Sequence, residues 1–273
     1  MFAVILVGVL NFPTIVLAGG NRYAITCNEL LNEVTIDGRW TYKDEWGDSS
    51  RHSLFFTKGG EGDLRVKEDD NFLYALIDYF ADLKRQKGDF AGMIIDQRND
   101  FGDEPQTDDF MLICQWSSDL EHTAGALKWR GGEPRGLNWR DVIQLPSGVE
   151  ISSSDDASND PVAKEPHMIY EFKIPRNLVG YPSIGFVVFT GDGEMGRATS
   201  TWPPARLERN LFDDPSQWGE LIFPTPPKQI ALTQTTAINL ERTYIPGGYI
   251  TIVGIIIVVV AATAGLILRK RKR

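Results

Sequence analysis

The chain has 273 residues, 42% of them hydrophobic, with 37 acidic against 28 basic side chains and a formal net charge of −9. Apolar runs occupy both ends, so the part that must fold in water amounts to about one domain with one core. Five of the 28 basic residues close the chain as Arg269, Lys270, Arg271, Lys272 and Arg273, which leaves 23 against 37 elsewhere, a net of −14; a surface of that sign repels phosphate backbones and excludes nucleic acid as a partner.

Residues 1–18 read as a secretory signal peptide. An apolar run over 2–10 is broken by Asn11 and Pro13, and Val16 and Ala18 place small residues at the cleavage spacing, although no Lys or Arg precedes the run. An uncleaved anchor is the alternative. At the other end, 249–268 is apolar, uncharged and long enough to cross a bilayer as a helix. The basic tail 269–273 follows at once, which puts the C-terminus on the cytoplasmic side and the bulk of the chain outside. Cys27 and Cys114 are the only cysteines, and an even pair in an exported chain points to one disulfide, with two separately buried thiols as the alternative.

Between these ends the chain reads as short strands separated by turn clusters. Strand patterns cover 33–36, which stops at the turn pair Asp37-Gly38, then 53–58, 64–67 and 72–79. Residues 90–95 and 111–116 are apolar runs of strand length that bracket an acidic loop. That loop carries Asp96, Asp100, Asp103, Glu104, Asp108 and Asp109 against the single cation of Arg98. Carboxylates this close repel one another unless a cation sits among them. An oxygen-ligand Ca²⁺ site built on Asp96, Asn99, Asp100, Asp108 and Asp109 is one reading, and a solvated turn is the other. An EF-hand is excluded, because Arg98 stands at the third ligand position and Gly102 falls one place late.

From 117 to 148 the pattern loosens into what reads as a long loop, and 152–166 reads as a polar, acidic, mobile connection. Strands resume at 149–153, 168–174, 184–190 and 220–223. Gly191, Gly193 and Gly196 match GxGxxG letter for letter, but 197–202 is strand-like and runs into Pro203-Pro204. With no helix to receive a pyrophosphate, a hairpin turn explains the glycines. Residues 224–248, rich in Pro and Thr, read as a stalk. The sequence contains no G-x-S-x-G elbow, no HExxH and no Walker loop, so no catalytic motif marks it as an enzyme.

The order of short motifs carries a resemblance. Val34-Thr-Ile-Asp-Gly38 with Glu45-Trp46, Asp70-Asn-Phe-Leu-Tyr74, Ile95-Asp96 with Asn99-Asp100 and Asp108-Asp109, Tyr170-Glu-Phe-Lys-Ile-Pro175, and Trp202-Pro203 with Asp214-Pro-Ser-Gln-Trp-Gly219 follow one another as in carbohydrate-binding modules of family 9 and the wider DOMON-like sandwiches, which this chain resembles. The resemblance implies an all-β domain of two packed antiparallel sheets over 19–223 that binds either a saccharide or haem b. For saccharide, Trp129 with Arg130 and Trp139 with Arg140 are the ligand-binding candidates, since each tryptophan stands in a glycine-rich or polar stretch beside an arginine. Trp202 is a further candidate, either stacking or structural. Trp40, Trp46, Trp116 and Trp218 lie in motifs that read as core. For haem, Met93, Met111, Met168, Met195, His52, His122 and His167 are available without diagnostic spacing. The sequence thus leads to a non-catalytic surface module for saccharide or surface glycan, anchored in the cell membrane by one helix, with haem-dependent electron transfer and a purely structural ectodomain as alternatives.

Overall fold

The computed structural model describes residues 22–56, 62–83, 85–116, 123–129, 139–193, 197–204 and 211–226. The expected signal peptide, transmembrane helix and basic tail lie outside the described residues, as does all but the start of the expected stalk. Among the described residues no helix is long and apolar enough to cross a membrane.

The described residues form two β-sheets. In the first, the order is β1 (Ala24–Thr26), β15 (Gly219–Ile222), β13 (Ser183–Asp192), β7 (Phe90–Asp96), β8 (Asp109–Gln115), β9 (Thr123–Trp129) and β10 (Trp139–Ile143). β14 (Arg197–Trp202) pairs with the far half of β13, and β4 (Phe55–Phe56) pairs with β14. The second sheet runs β11 (Glu150–Ser154), β12 (Met168–Pro175), β6 (Phe72–Tyr79), β5 (Asp63–Glu68) and β2 (Asn28–Glu29), with β3 (Ser50–Ser53) also on β5. The sheets are mixed rather than wholly antiparallel. β1 joins β15 and β2 joins β5 in parallel, so consecutive segments on either side of Cys27 enter different sheets.

The main core lies between the sheets. Alternate residues of each strand enter it: Ala91, Met93 and Ile95 from β7, Phe186 and Val188 from β13, Tyr170, Phe172 and Ile174 from β12. The intervening residues are buried too, because both outer faces are covered. Ile94, Val187 and Phe189 pack under Leu211 and Trp218 on the first sheet. Tyr74, Leu76 and Ile169 pack under Trp40 and Trp46 on the second. Burial on both faces is why these strands read as unbroken apolar runs instead of alternating ones.

The cover of the second sheet departs from two expectations. Residues 33–36 are not a strand: the Thr35 amide, which a strand neighbour would have taken, donates to Glu45 Oε1, and Thr41 N donates to Oε2 of the same carboxylate. The turn at Asp37-Gly38 is present. Both its amides donate to Glu171 Oε2, and a Cβ at Gly38 (φ +82°) would come within 2.4 Å of the Ser153 backbone. The connection after β11, expected to be mobile, instead packs down. Ala157 joins the tryptophan cluster, Asp160 is fully buried, and Asn159 donates to Thr41 O.

Three further sequence expectations are corrected or sharpened. Cys27 and Cys114 are buried free thiols, not a disulfide. β15, β13 and β7 separate the end of β1 from β8, and four spacings of about 4.8 Å put the two residues roughly 19 Å apart along the sheet, against a Cα limit of about 7 Å for a bridge. Burial pushes both thiols up, Cys114 to about 12, so they act as small neutral hydrophobes. Trp202 is core, 3% exposed, with its ring 6.0 Å from that of Phe186, and cannot stack on a ligand from there. Gly191 lies at the end of β13 and Gly193 follows the strand, before the chain returns as the antiparallel partner β14, as the hairpin reading required; Gly196 lies outside the described residues.

Lys67 tests the buried cover. Its ammonium donates to Asn32 O, Glu45 O and Asp48 Oδ1 with no exposed side-chain surface. Lys67→Ala is expected to lower the unfolding free energy by about 3 kcal/mol, since it strands buried acceptors, whereas Lys173→Ala, which removes a solvent-facing pair with Glu150, should change it by less than about 1 kcal/mol. Trp202→Ala should cost about 3 to 5 kcal/mol, the range of a core aromatic deletion. Denaturant unfolding of the three variants checks all of these.

Candidate functional site

Two neighbouring parts of the first sheet hold the residues singled out in the sequence. The stretch 117–148, expected as a loop, contains β9 and β10. Its weak signal follows from its composition, because Thr123-Ala-Gly-Ala offers few residues that favour a pleated surface. In the β9–β10 ladder Trp129 stands directly opposite Trp139, with a register irregularity between Trp139 and Asp141. β10 is the last strand in the order of this sheet among the described residues. Backbone pairing therefore brings together two tryptophans ten positions apart in sequence. Arg140 follows on β10, while Arg130 lies outside the described residues.

The acidic loop joins β7 to β8. The register Asp96↔Asp109 sets their backbones opposite one another at the mouth of the loop, and both side chains are buried. One donor oxygen each from Asp96, Asp108 and Asp109 falls within 4.8 Å of the others. Asp96 Oδ1 accepts the amides of Arg98 and Asn99 at 3.0 and 2.7 Å, and Asp109 Oδ2 accepts that of Gln106 at 2.5 Å. These amides shape the loop, with Asn99 and Phe101 in the left-handed region at φ 55° and 51°.

Several oxygens of the loop are left over. Both carboxylate oxygens of Asp108 and Oδ1 of Asn99 are buried without a hydrogen bond; the largely exposed Arg98 brings its Nε to 3.5 Å from Asp108 Oδ2. Burial, followed by the charges of Asp96, Asp108 and Asp100, pushes Asp109 up to about 8 despite the Gln106 amide. Burial likewise pushes Asp96 up, opposed by the amides of Phe101 and Asn99. Carboxylates and an amide oxygen with spare lone pairs, crowded until their ionised forms are disfavoured, make a donor set suited to a hard dication. Asp100 stands apart: it is exposed and accepts from Gln106 Nε2 at 3.1 Å.

Distant residues hold this geometry and carried no signal in the sequence. Asn99 Nδ2 donates to Ser183 Oγ and Glu220 Oε1 at 2.7 and 3.0 Å, tying the loop to β13 and β15. Gly185 pairs with Asp96, and a Cβ there would lie 2.9 Å from the Asp96 Cβ and 3.0 Å from Oδ2, so glycine leaves the room that the carboxylate fills. The Arg22 guanidinium lies 3.2 Å above the Phe101 ring.

Among the described residues the haem alternative gains no ligand pair. Both ring nitrogens of His167 are engaged, by Glu165 O and Asp78 Oδ1, and Met93 and Met168 are packed in the closed core. Met111 packs under the outer cover of the first sheet, and His52 lies half-buried on β3; Met195 and His122 are outside the described residues. Trp40, Trp46 and Trp218 are buried as expected, and Trp116 is partly buried with the Arg85 guanidinium 4.1 Å above its ring.

No protein-family model matches the sequence, and no curated protein sequence matches it. Among solved structures the chain is similar to a carbohydrate binding module family 9 (CBM9) from Caldicellulosiruptor kristjanssonii in complex with cellotriose, with 15% identity over 78% of this chain and 98% of that chain and a TM-score of 0.51. It is similar also to a CBM9 from the same organism in complex with glucose, with 16% identity over 76% and 99% of the two chains and a TM-score of 0.50. The described domain therefore has a CBM9-like β-sandwich fold.

Proposed function

We propose that the protein is a non-catalytic carbohydrate-binding module displayed on the outer face of a cell membrane, with a structural Ca²⁺ in the β7–β8 loop. The observation that carries the reading is the placement of Trp129 opposite Trp139 on the β9–β10 ladder, in a fold shared with modules solved in complex with cellotriose and glucose. Opposite positions of an antiparallel pair lie about 4.5 to 5.5 Å apart at Cβ, so the ladder brings the two aromatic residues to one place on the sheet, and Arg140, next to Trp139 in sequence, is a hydroxyl-binding candidate. Display at the membrane rests on the apolar run 249–268 and the basic tail.

Calcium fits the leftover oxygens of the acidic loop. Asp96, Asp108, Asp109 and Asn99 would hold it, and Asp100, turned outward to Gln106, is left as a neighbouring charge rather than a ligand. The cation would supply charge neutralisation and a cross-link between β7 and β8, without chemistry on the sugar.

Two measurements test the reading. Titration of the full chain with cellotriose and with glucose in a calorimeter should show saturable binding. Trp129→Ala and Trp139→Ala should each weaken it by about tenfold to 100-fold, the effect expected for losing roughly 1.5 to 3 kcal/mol of aromatic contact; a folded protein that binds neither sugar nor any member of a glycan array removes the proposal. For calcium, the melting temperature should rise with added Ca²⁺ and fall with chelator, and Asp96→Asn with Asp108→Asn should abolish both responses. The response should also depend on pH. Without the ion, folding raises Asp109 above its unfolded value, so that carboxyl's contribution is fully present below pH ~4 and is lost as pH rises toward about 8. The gain from Ca²⁺ should therefore grow from pH 6 to pH 8, and a melting temperature indifferent to Ca²⁺ at pH 8 rejects the ion.

A further inference from the structure

The second sheet buries a cluster that neither the sugar site nor the acidic loop uses. Asp78 lies on β6, His167 immediately precedes β12, and Asp160 comes from the connection that covers the sheet's outer face; each is at most 1% exposed. His167 Nε2 is 2.5 Å from Asp78 Oδ1 and 3.6 Å from Asp160 Oδ2. One donor atom from each of the three falls within 4.8 Å of the others.

Two details point from a hydrogen-bonded cluster to a ligand. The other ring nitrogen, Nδ1, is 2.7 Å from the carbonyl oxygen of Glu165. A carbonyl only accepts, so Nδ1 carries its proton, and Nε2 is left facing the two carboxylates. Orientation of a histidine by a carbonyl behind it is the usual support for a metal-binding imidazole. Independently, Asp78 Oδ2 has no hydrogen-bond partner although Asp78 is wholly buried. It lies one carboxylate's width from the oxygen that touches Nε2, so the spare acceptor is beside the imidazole.

We propose that His167 Nε2, Asp78 and Asp160 form a binding site for a transition-metal dication of the zinc class, the ion replacing the proton between Nε2 and Asp78. An imidazole with two carboxylates matches zinc, whereas the all-oxygen loop at Asp96 matches calcium. Arg65, on β5, faces Asp78 and Asp160, while Asp63, opposite Asp78 on β5, pairs with Arg51. Metal binding expels the Nε2 proton to solvent, so each zinc taken up releases one proton. Asp160 also accepts the amides of Val162 and Ala163, so the ion would clamp the covering connection onto β6.

The test uses the full chain, stripped of metal and supplied with excess Ca²⁺ to satisfy the acidic loop. Zn²⁺ is titrated against a chromophoric chelator, both on the folded protein and during refolding, because the site is closed to solvent. One zinc per chain, retained against Ca²⁺ and taken up with release of one proton, is the expected result, and Co²⁺ in its place should give the visible bands of a tetrahedral nitrogen and oxygen site. Asp78→Asn keeps an oxygen toward His167 and puts an amide group where the unpartnered oxygen stands, so it should fold while binding zinc about 100-fold more weakly; His167→Gln should do the same. No zinc uptake by the wild type under either regime overturns the proposal, and so does zinc held equally by the wild type and both variants.

Discussion

Charges placed on the outer face of the second sheet impose the main constraint on this fold. Lys67, Arg65, Asp78 and Glu171 project from β5, β6 and β12 away from the central core, and all are buried. A charge removed from water must be matched by partners of fixed geometry, and here the partners come largely from the two segments lying over the sheet. Glu171 collects the amides of Asp37 and Gly38 and the indole N–H of Trp46. Lys67 collects the carbonyls of Asn32 and Glu45 and the Asp48 carboxylate. The cover is therefore specified by polar pairing as much as by the packing of Trp40 and Trp46, and each depends on the other to exclude water.

The same constraint acts in reverse at the acidic loop. There the buried groups share one sign, and the protein supplies amides to Asp96 and Asp109 but leaves Asp108 almost unmatched. Backbone register forces this crowding: once Asp96 closes β7 and Asp109 opens β8, hydrogen bonding of the two strands holds the carboxylates close whatever their repulsion. The two sheets thus use buried charge differently. On the second it is neutralised internally around Lys67 and Glu171, while on the first both Asp108 oxygens stay buried without a hydrogen bond.

The aromatic residues divide along similar lines. Trp40, Trp46, Trp202 and Trp218 are consumed by packing, and each is at most 3% exposed. Trp129 and Trp139 belong to a short ladder at the end of the first sheet's strand order among the described residues. A sandwich whose strands are buried on both faces in its middle leaves its periphery as the part of the fold least committed to packing.

Local chemistry in the sequence determined the all-β class, the strands at 72–79, 90–95, 168–174 and 184–190, the turn at Asp37-Gly38 and the acidic loop, because apolar runs bounded by turn residues need no distant information. It also brought Asp96, Asp108 and Asp109 into view, since two adjacent strands place them. Tertiary structure alone decided the rest. The strand pattern of 33–36 was overruled when Glu45 took the amides of Thr35 and Thr41, and β9 emerged from a start of weak propensity once β8 offered an edge to pair with, β10 then pairing with β9. The parallel entry of β1 and β2 into different sheets, the separation of Cys27 from Cys114, and the meeting of Asp78, Asp160 and His167 all depend on which strands become neighbours. Sequence fixes the period and polarity of each segment, but partners more than eighty residues apart are chosen by whichever arrangement buries both faces of the sheets and leaves the fewest charges unpaired.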